Sequence, residues 1–593
     1  MSTVKSLALG CALLATLAAS SQAYSYEAPI KAPEIATGYT AKPGWAAKKF
    51  MVAAANPLAA DAGYRMLKQG GTAIDAAIAT QLVLGLVEPQ SSGIGGGAFM
   101  LYFDGKQVQS YDGRETAPAA ATERLFQLPD GSPVSREAGV VGGRSVGAPG
   151  VLRMLELAHR RHGKLPWATL FGPAIALSER GFAVSPRLHA LLKNDPYLIR
   201  DPVAAAYFYD AAQQPRPVGH LLKNPELART LRAIARGGAD AFYKGRIARD
   251  IAAKVASHPT NAGLLTAADI GAYQAKLRAP VCSDYRRWTV CGAPPPSSGG
   301  IAIGQMLGIL ENKDIGRFPP RDGVPDPEAV HLFAEAGRLA YADRNRYVAD
   351  TDFVPLPGDG VAGLLDPAYL AGRAALIGAR SMGRASAGQP PGMRVAWGQD
   401  NAIERPSTSH LAVVDRHGAG LSMTTTVEDA FGARQMVDGF LLNNQLTDFS
   451  FASADADGPI ANRVQAGKRP RSAMAPTLVF EKGGHKLVLA TGSPGGSSII
   501  NYVAKVLVGT MDWGLNVQQA IDLPNFGSRN GPTELETGRA APALEAALSE
   551  RGHEVRVIDQ NSGLQGIMRV TVHGQEIWFG GADPRREGMV RGE

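Results

Sequence analysis

The sequence predicts a layered α/β fold, and three observations carry that prediction. Helical periodicity dominates from Pro57 to Arg346, strand-like runs take over after Arg405-Pro406, and helices return at Ile499. Helices, a sheet through the centre and helices again form layers around shared apolar interfaces. With 593 residues, 45% apolar and 19% charged, the chain can bury a large core, and length alone fits about two to four domains. The net charge of +7 is spread along the chain, which gives no support to nucleic-acid binding.

The N-terminus reads as an address. Lys5 precedes the apolar run Leu7 to Ala19, and Ser21-Gln22-Ala23 offers small residues for cleavage. Residues 1–23 therefore read as a secretory signal peptide, with mature protein from Tyr24. The run is too short to span a bilayer, and no later stretch is long and apolar enough. The expected product is periplasmic or secreted, with no membrane attachment after signal removal.

Each element follows from local chemistry. Residues 24 to 48 read as an extended arm. Pro57-Leu58 opens a helix that stops at Gly70-Gly71. Thr72-Ala73-Ile74-Asp75 is a capping-box start for a second helix, apolar on nearly every side and so expected to be buried. Gly93, Gly95 and Ala98 match a dinucleotide fingerprint, but a helix precedes them and a strand follows, the reverse of what that motif needs. These glycines are expected to allow close backbone packing or approach to a ligand. Phe99 to Phe103, an Asp104-Gly105 turn and Lys106 to Tyr111 form a hairpin. Gly147 to Lys254 is helical with breaks, Pro294 to Gly300 opens a helix over Ile301 to Glu311, and Glu328 to Arg346 is a long helix. Gly358 to Pro391 has weak periodicity, and Gly378 to Pro391 reads as a mobile linker. Leu411 to Val414, Leu421 to Val427, Phe440 to Leu442, Thr477 to Phe480 and Lys486 to Ala490 read as strands. Ile499 to Met511 and Ala541 to Arg551 are helices.

Cys282 and Cys291, the cysteines left after signal removal, flank a segment that can fold as two short strands. Either they form a disulfide, which adds roughly 2–3 kcal/mol in an oxidising compartment, or they stay as buried thiols. No metal-ligand pattern accompanies them.

The segment with most chemistry is Ser407-Thr408-Ser409-His410, where the linker gives way to a strand. One reading is a strand edge at a domain boundary. The other is a processing site. Cutting the Ser407–Thr408 bond gives Thr408 a free α-amine beside its own hydroxyl, so base and nucleophile sit on one residue.

The surrounding motifs favour the second reading. The chain resembles γ-glutamyltranspeptidase precursors of the N-terminal-nucleophile hydrolase superfamily from about Met51 to Arg585. The resemblance runs through Gly70 to Ala77, Gly93 to Gly97, Gly113-Arg114-Glu115, Pro294 to Gly300, Thr408-Ser409-His410 and Leu442 to Gln445. It continues through Lys468-Arg469-Pro470, Gly492 to Ser497 and Ala582 to Arg585. It implies a four-layer αββα sandwich built jointly by a large subunit, residues 24–407, and a small subunit, residues 408–593. These form by autocleavage and remain a heterodimer.

The resemblance also implies roles. Thr408 is the nucleophile, with its α-amine as base, and Thr426 supports it. Gly495 and Gly496 supply oxyanion-hole amides. Arg114 and Ser472 take the substrate's α-carboxylate, while Glu428, Gln445 and Asp448 hold its α-amino group. No cofactor and no metal is implied. The implied substrates are a γ-glutamyl compound such as glutathione and an amino-acid or peptide acceptor.

Three departures bear on substrate. Glu428 stands where well-known bacterial relatives have asparagine, and with Gln445 it resembles an acid–amide exchange; it also reads as a solvated strand-end acid. The paired serines of the family are Ser472-Ala473 here. Losing one hydrogen bond to a charged group costs roughly 1.5–3 kcal/mol. The Phe451 to Gly467 segment is shorter than the lid of enteric-type relatives and has no tyrosine, which implies a more open site. The leading expectation is a γ-glutamyl hydrolase and transferase. A cephalosporin (glutaryl) acylase of the same superfamily is the near alternative, and an uncleaved, non-catalytic binding protein the remote one.

Overall fold

Small and β-branched residues make the centre of this protein. The computed structural model describes residue 36 and residues 38–393, 397–400, 402, 404–405 and 407–593. The expected signal peptide lies outside the described residues. Fourteen strands form two seven-stranded sheets: β1 (Trp45–Ala47), β2 (Met51–Ala54), β3 (Gly97–Phe103), β4 (Val108–Gly113), β5 (Lys276–Arg278), β6 (Val281–Tyr285), β7 (Trp288–Gly292), β8 (Ser409–Val414), β9 (Gly420–Thr426), β10 (Thr477–Glu481), β11 (Leu487–Gly492), β12 (Gln565–Val572), β13 (Gln575–Ala582) and β14 (Met589–Gly592). One sheet has the order β14-β2-β8-β9-β3-β4-β5, the other β1-β13-β12-β11-β10-β7-β6.

The residue period decides the layers. In β8, Leu411 and Val413 join a core shared with helices α1 (Pro57–Lys68) and α2 (Ala73–Val87). The alternate residues, Ala412 and Val414, pack against Leu478, Leu487, Ala490 and Ile567 of the opposite sheet. Successive strand side chains point to opposite faces, so each strand serves two cores. Beyond the second sheet, α3 (Gly299–Glu311), α4 (Pro327–Tyr347) and α5 (Ile499–Met511) close a third core. The result is the αββα sandwich.

Both sheets combine strands from either side of residue 408. β8 lies between β2 and β9, and β9 pairs with β3 in turn. Neither sheet could be completed by the chain before or after Thr408 alone.

Most local signals hold. Thr72 caps α2 reciprocally with Asp75, and Cys282 pairs across β6–β7 with Cys291 in a disulfide. The Gly93–Gly97 run allows close packing. A Cβ on Gly95 would lie 2.1 Å from the Leu441 carbonyl oxygen, and one on Gly96 would lie 2.0 Å from that of Thr426. The glycines thus let the loop press on the end of β9.

The Gly358 to Pro391 expectation needs correction. Two short helices, Val361–Leu364 and Pro367–Ala374, occupy it. The stretch expected to be a mobile linker is tied down by distant polar groups. Ser381 Oγ donates to Glu335, Ala385 N to Asn530, Gly388 N to Asp343, and Arg373 to the Ser386 carbonyl. Periodicity cannot reveal such tethers, and it does not reveal strands β2 and β12 to β14 either. No helix among the described residues is long and apolar enough to cross a membrane.

Candidate active site

The β8–β9 ladder brings the two threonines together. Ser409 pairs with Thr425, so Thr408 and Thr426 stand opposite each other one step further along, at the end of the ladder. The Thr408 hydroxyl donates to Thr426 Oγ1 at 3.3 Å, and Thr426 Oγ1 also accepts from Glu428 N at 2.8 Å. Both residues are buried. Arg586 Nη1 donates to the Thr408 carbonyl at 3.3 Å. Thr408 has φ +124°, a region costly for a β-branched residue. That angle exists only while the Ser407–Thr408 peptide bond is intact.

A small pocket opens in front of Thr408. Its lining includes Thr426, Glu428, Gln445, Asp448, Arg114, Ser472, Ala473 and Gly496, together with Glu404 and Arg405. Gly496 thus reaches the pocket wall, while Gly495 sits one residue behind it. Their φ values, +55° and +136°, suit glycine. A Cβ on Gly495 would meet the Tyr502 ring at 2.5 Å, and one on Gly496 would meet the Arg405 carbonyl at 2.5 Å. The Glu404 carbonyl accepts from Ser497 N at 3.3 Å. The segment before Thr408 therefore lies across these glycines.

Opposite charges face each other across the pocket. Arg114 Nη2 donates to Asp448 Oδ2 at 2.5 Å and to the Arg471 carbonyl at 2.8 Å, and Nε donates to the Pro470 carbonyl at 3.1 Å. A single-turn helix, Gln445–Asp448, puts Gln445 beside the acid, and Gln445 Nε2 donates to Asp448 Oδ2 at 2.8 Å. Among the described residues, Asp448 Oδ1 and Gln445 Oε1 have no hydrogen-bond partner. Two acceptors without donors in a buried pocket suit an ammonium group. Burial raises the Asp448 carboxyl above its usual range despite Arg114 beside it.

Glu428 is not a solvated strand-end acid. It is buried, with Oε1 3.2 Å from Arg136 Nη2 and Oε2 accepting from Asn444 and Thr447. Burial, then the nearby Asp448, pushes it up to about 8, against the pull of Arg136. Ser472 Oγ accepts from Met474 N at 3.1 Å beside Ala473. In the short 451–467 segment, Phe451 stacks on Phe126 at 4.4 Å.

The structure gathers every sequence-derived site residue except Ser407 and Gly495 into the pocket lining, and these two adjoin it. It adds Glu404 to the lining, with Arg136 paired to Glu428 and with Arg344 and Arg471 beside Glu404, all of which sequence reasoning missed. Arg471 had a signal, since it directly follows the Lys468-Arg469-Pro470 motif. Arg136 had none, being 292 residues from its partner.

The chain matches known proteins over most of its length. The family model described as Gamma-glutamyltranspeptidase matches residues 59–592. The chain is 36% identical over 550 residues to the Glutathione hydrolase proenzyme of Escherichia coli (strain K12), covering 91% of each chain. It is 35% identical over 539 residues to the Acylase ACY 1 proenzyme of Pseudomonas sp. (strain SE83), covering 89% of this chain and 91% of the relative. Among solved structures, cephalosporin acylase from Bacillus halodurans superposes with TM-score 0.78 at 27% identity. It covers 94% of this chain and 98% of that one.

Proposed function

Since the chain belongs to the γ-glutamyltranspeptidase family, we propose that it is an exported proenzyme that cuts itself before Thr408 and then transfers γ-glutamyl groups. In self-cleavage the Thr408 hydroxyl adds to the Ser407 carbonyl carbon. The peptide C–N bond breaks, leaving an ester on Thr408 and a free α-amine, and water hydrolyses the ester. Release of the unfavourable Thr408 φ favours the cut. The interleaved strands then hold residues 24–407 and 408–593 together as a heterodimer.

In turnover the new α-amine takes the hydroxyl proton as Thr408 attacks the γ-amide; an ordinary chain-terminal amine titrates at about 8, which suits a base at neutral pH. The amides of Gly495 and Gly496 stabilise the oxyanion. The amine leaves with a proton, and water, an amino acid or a peptide accepts the acyl group. Arg114 and Ser472 hold the donor's α-carboxylate; Asp448, Gln445 and Glu428 hold its α-ammonium. A γ-glutamyl donor such as glutathione carries both charges.

The observation that carries this reading is the pair of unpartnered acceptors, Asp448 Oδ1 and Gln445 Oε1, in the pocket that Thr408 faces. A second reading, a glutaryl-type acylase, draws on the acylase relatives and on Ala473. A glutaryl donor has no ammonium and would leave those acceptors unused.

A denaturing gel tests the first step. Two bands are expected, the smaller beginning at Thr408 by N-terminal sequencing, and Thr408→Ala should run as a single uncut band without activity. Normal cleavage in Thr408→Ala would sink the nucleophile assignment, and an uncut, inactive native chain would favour a binding protein.

A further inference from the structure

Arg344 and Arg471 are buried side by side behind the pocket, and neither is used by the chemistry above. Their carboxylate partners both come from the segment just before Thr408. Glu404 accepts from Arg344 Nη2 and lies 3.6 Å from Arg471 Nε. Asp400 lies 2.8 Å from Arg471 Nη2. Even so, among the described residues Arg471 Nε and Nη2 make no properly aligned hydrogen bond. Burial and the neighbouring Arg344 guanidinium lower Arg471 from its usual range. In Arg344 the pull of Glu404 overcomes burial and raises it.

The position of Glu404 gives the pair a meaning. Glu404 lines the same pocket as Arg114, Asp448, Ser472 and Ala473. During self-cleavage the acyl portion is the chain ahead of the Ser407 carbonyl. During turnover it is the donor. Both carbonyls must reach the same Thr408 hydroxyl, so the Glu404 carboxylate sits on the acyl-donor side of the reaction. Without Glu404, Asp400 alone would face two buried guanidiniums, which is costly, and cutting the Ser407–Thr408 bond frees Glu404 to leave.

We propose that Arg344 and Arg471 form an anion-binding subsite, filled by Glu404 in the uncut chain and taken over by a carboxylate of the acyl donor after cleavage. The Arg471 fork matches a carboxylate, and it supplies the contact that Ala473 lacks. The proposal rests on Thr408 being the nucleophile and deepens the reading of the donor. It adds a requirement for a carboxylate on the acyl group, which can be tested separately from the ammonium.

The test compares p-nitroanilide donors on processed enzyme, native and Arg471→Met. One pair is γ-glutamyl and its carboxylate-free counterpart, 4-aminobutanoyl; the other is glutaryl and butanoyl. The expected result is a roughly 10- to 100-fold loss of kcat/KM for γ-glutamyl and glutaryl donors, mainly in KM. The carboxylate-free donors should change less than about twofold, since the variant removes only a contact to the missing group. Equal losses for all donors, or no loss, would overturn the proposal. If Arg471→Met stays uncut, Arg471→Lys is assayed instead: it keeps the charge, and a KM rise confined to the carboxylate-bearing donors is required. Native enzyme that cleaves the glutaryl and not the γ-glutamyl donor would refute the γ-glutamyl reading alone, because the glutaryl–butanoyl pair still tests the subsite.

Discussion

Two buried polar clusters in this protein look alike in composition and differ in what they leave undone. Around α4, His331, Glu335 and His553 lie close enough to hold a cation, but every group is committed. His331 Nε2 must donate to the Gly378 carbonyl, which only accepts. His331 Nδ1 then accepts from His553 Nε2 at 2.8 Å, and His553 Nδ1 accepts from Thr533 Oγ1 at 2.7 Å. Arg338 donates to both Thr533 and Glu335, and Ser381 and Met382 N complete Glu335. The pocket before Thr408 instead leaves Asp448 Oδ1 and Gln445 Oε1 without a partner among the described residues. A completed network fastens the 378–383 segment to the core. An incomplete one is built to be finished by a ligand.

That contrast breaks most easily at Arg114. Arg114→Met removes the proposed partner of the donor's carboxylate and leaves Asp448 buried without its cation. We expect kcat/KM for γ-glutamyl-p-nitroanilide to fall roughly 100-fold or more, measured by initial rates on processed enzyme. A loss below tenfold would remove Arg114 from the clamp.

His553→Ala should show the opposite split. It orphans the Thr533 hydroxyl and His331 Nδ1, at a cost of about 1–3 kcal/mol in urea unfolding, while kcat/KM is unchanged. Acid sharpens the same point. Burial holds His553 down at about 4, below the roughly 6.5 of an unfolded histidine. The unfolded chain therefore takes up this proton first, and stability drains away as pH falls from about 6.5 to about 4. The alanine variant should lose that part of the slope. An altered KM with unchanged stability would reverse the assignments of the two clusters.

The smallest expected effect is Ala473→Ser, which restores a hydroxyl next to Ser472. KM for the γ-glutamyl donor should fall by up to about tenfold. An unchanged KM would mean that the carboxylate already has its contacts without it.

Legibility in the sequence followed the reach of each interaction. The Thr72 capping box and the helix Ile499–Met511 were legible because their causes lie within a few residues. The 378–391 tethers were not, because Glu335, Asp343 and Asn530 approach it only in the fold. Thr408 stood out by its place at a linker-to-strand junction, whereas Arg114, Gly495 and Gly496 acquired roles only through family resemblance. Arg136 and Arg344 were invisible: their partners Glu428 and Glu404 lie 292 and 60 residues away, and no local period encodes such pairs.

We propose that the unfinished polar groups before Thr408 await a donor with both an ammonium and a carboxylate. The most direct test is the ratio of kcat/KM for γ-glutamyl-p-nitroanilide to that for glutaryl-p-nitroanilide on the processed enzyme. Hydrogen bonds to a charged group predict a ratio of roughly ten or more in favour of γ-glutamyl. Equal or faster turnover of the glutaryl compound would contradict it.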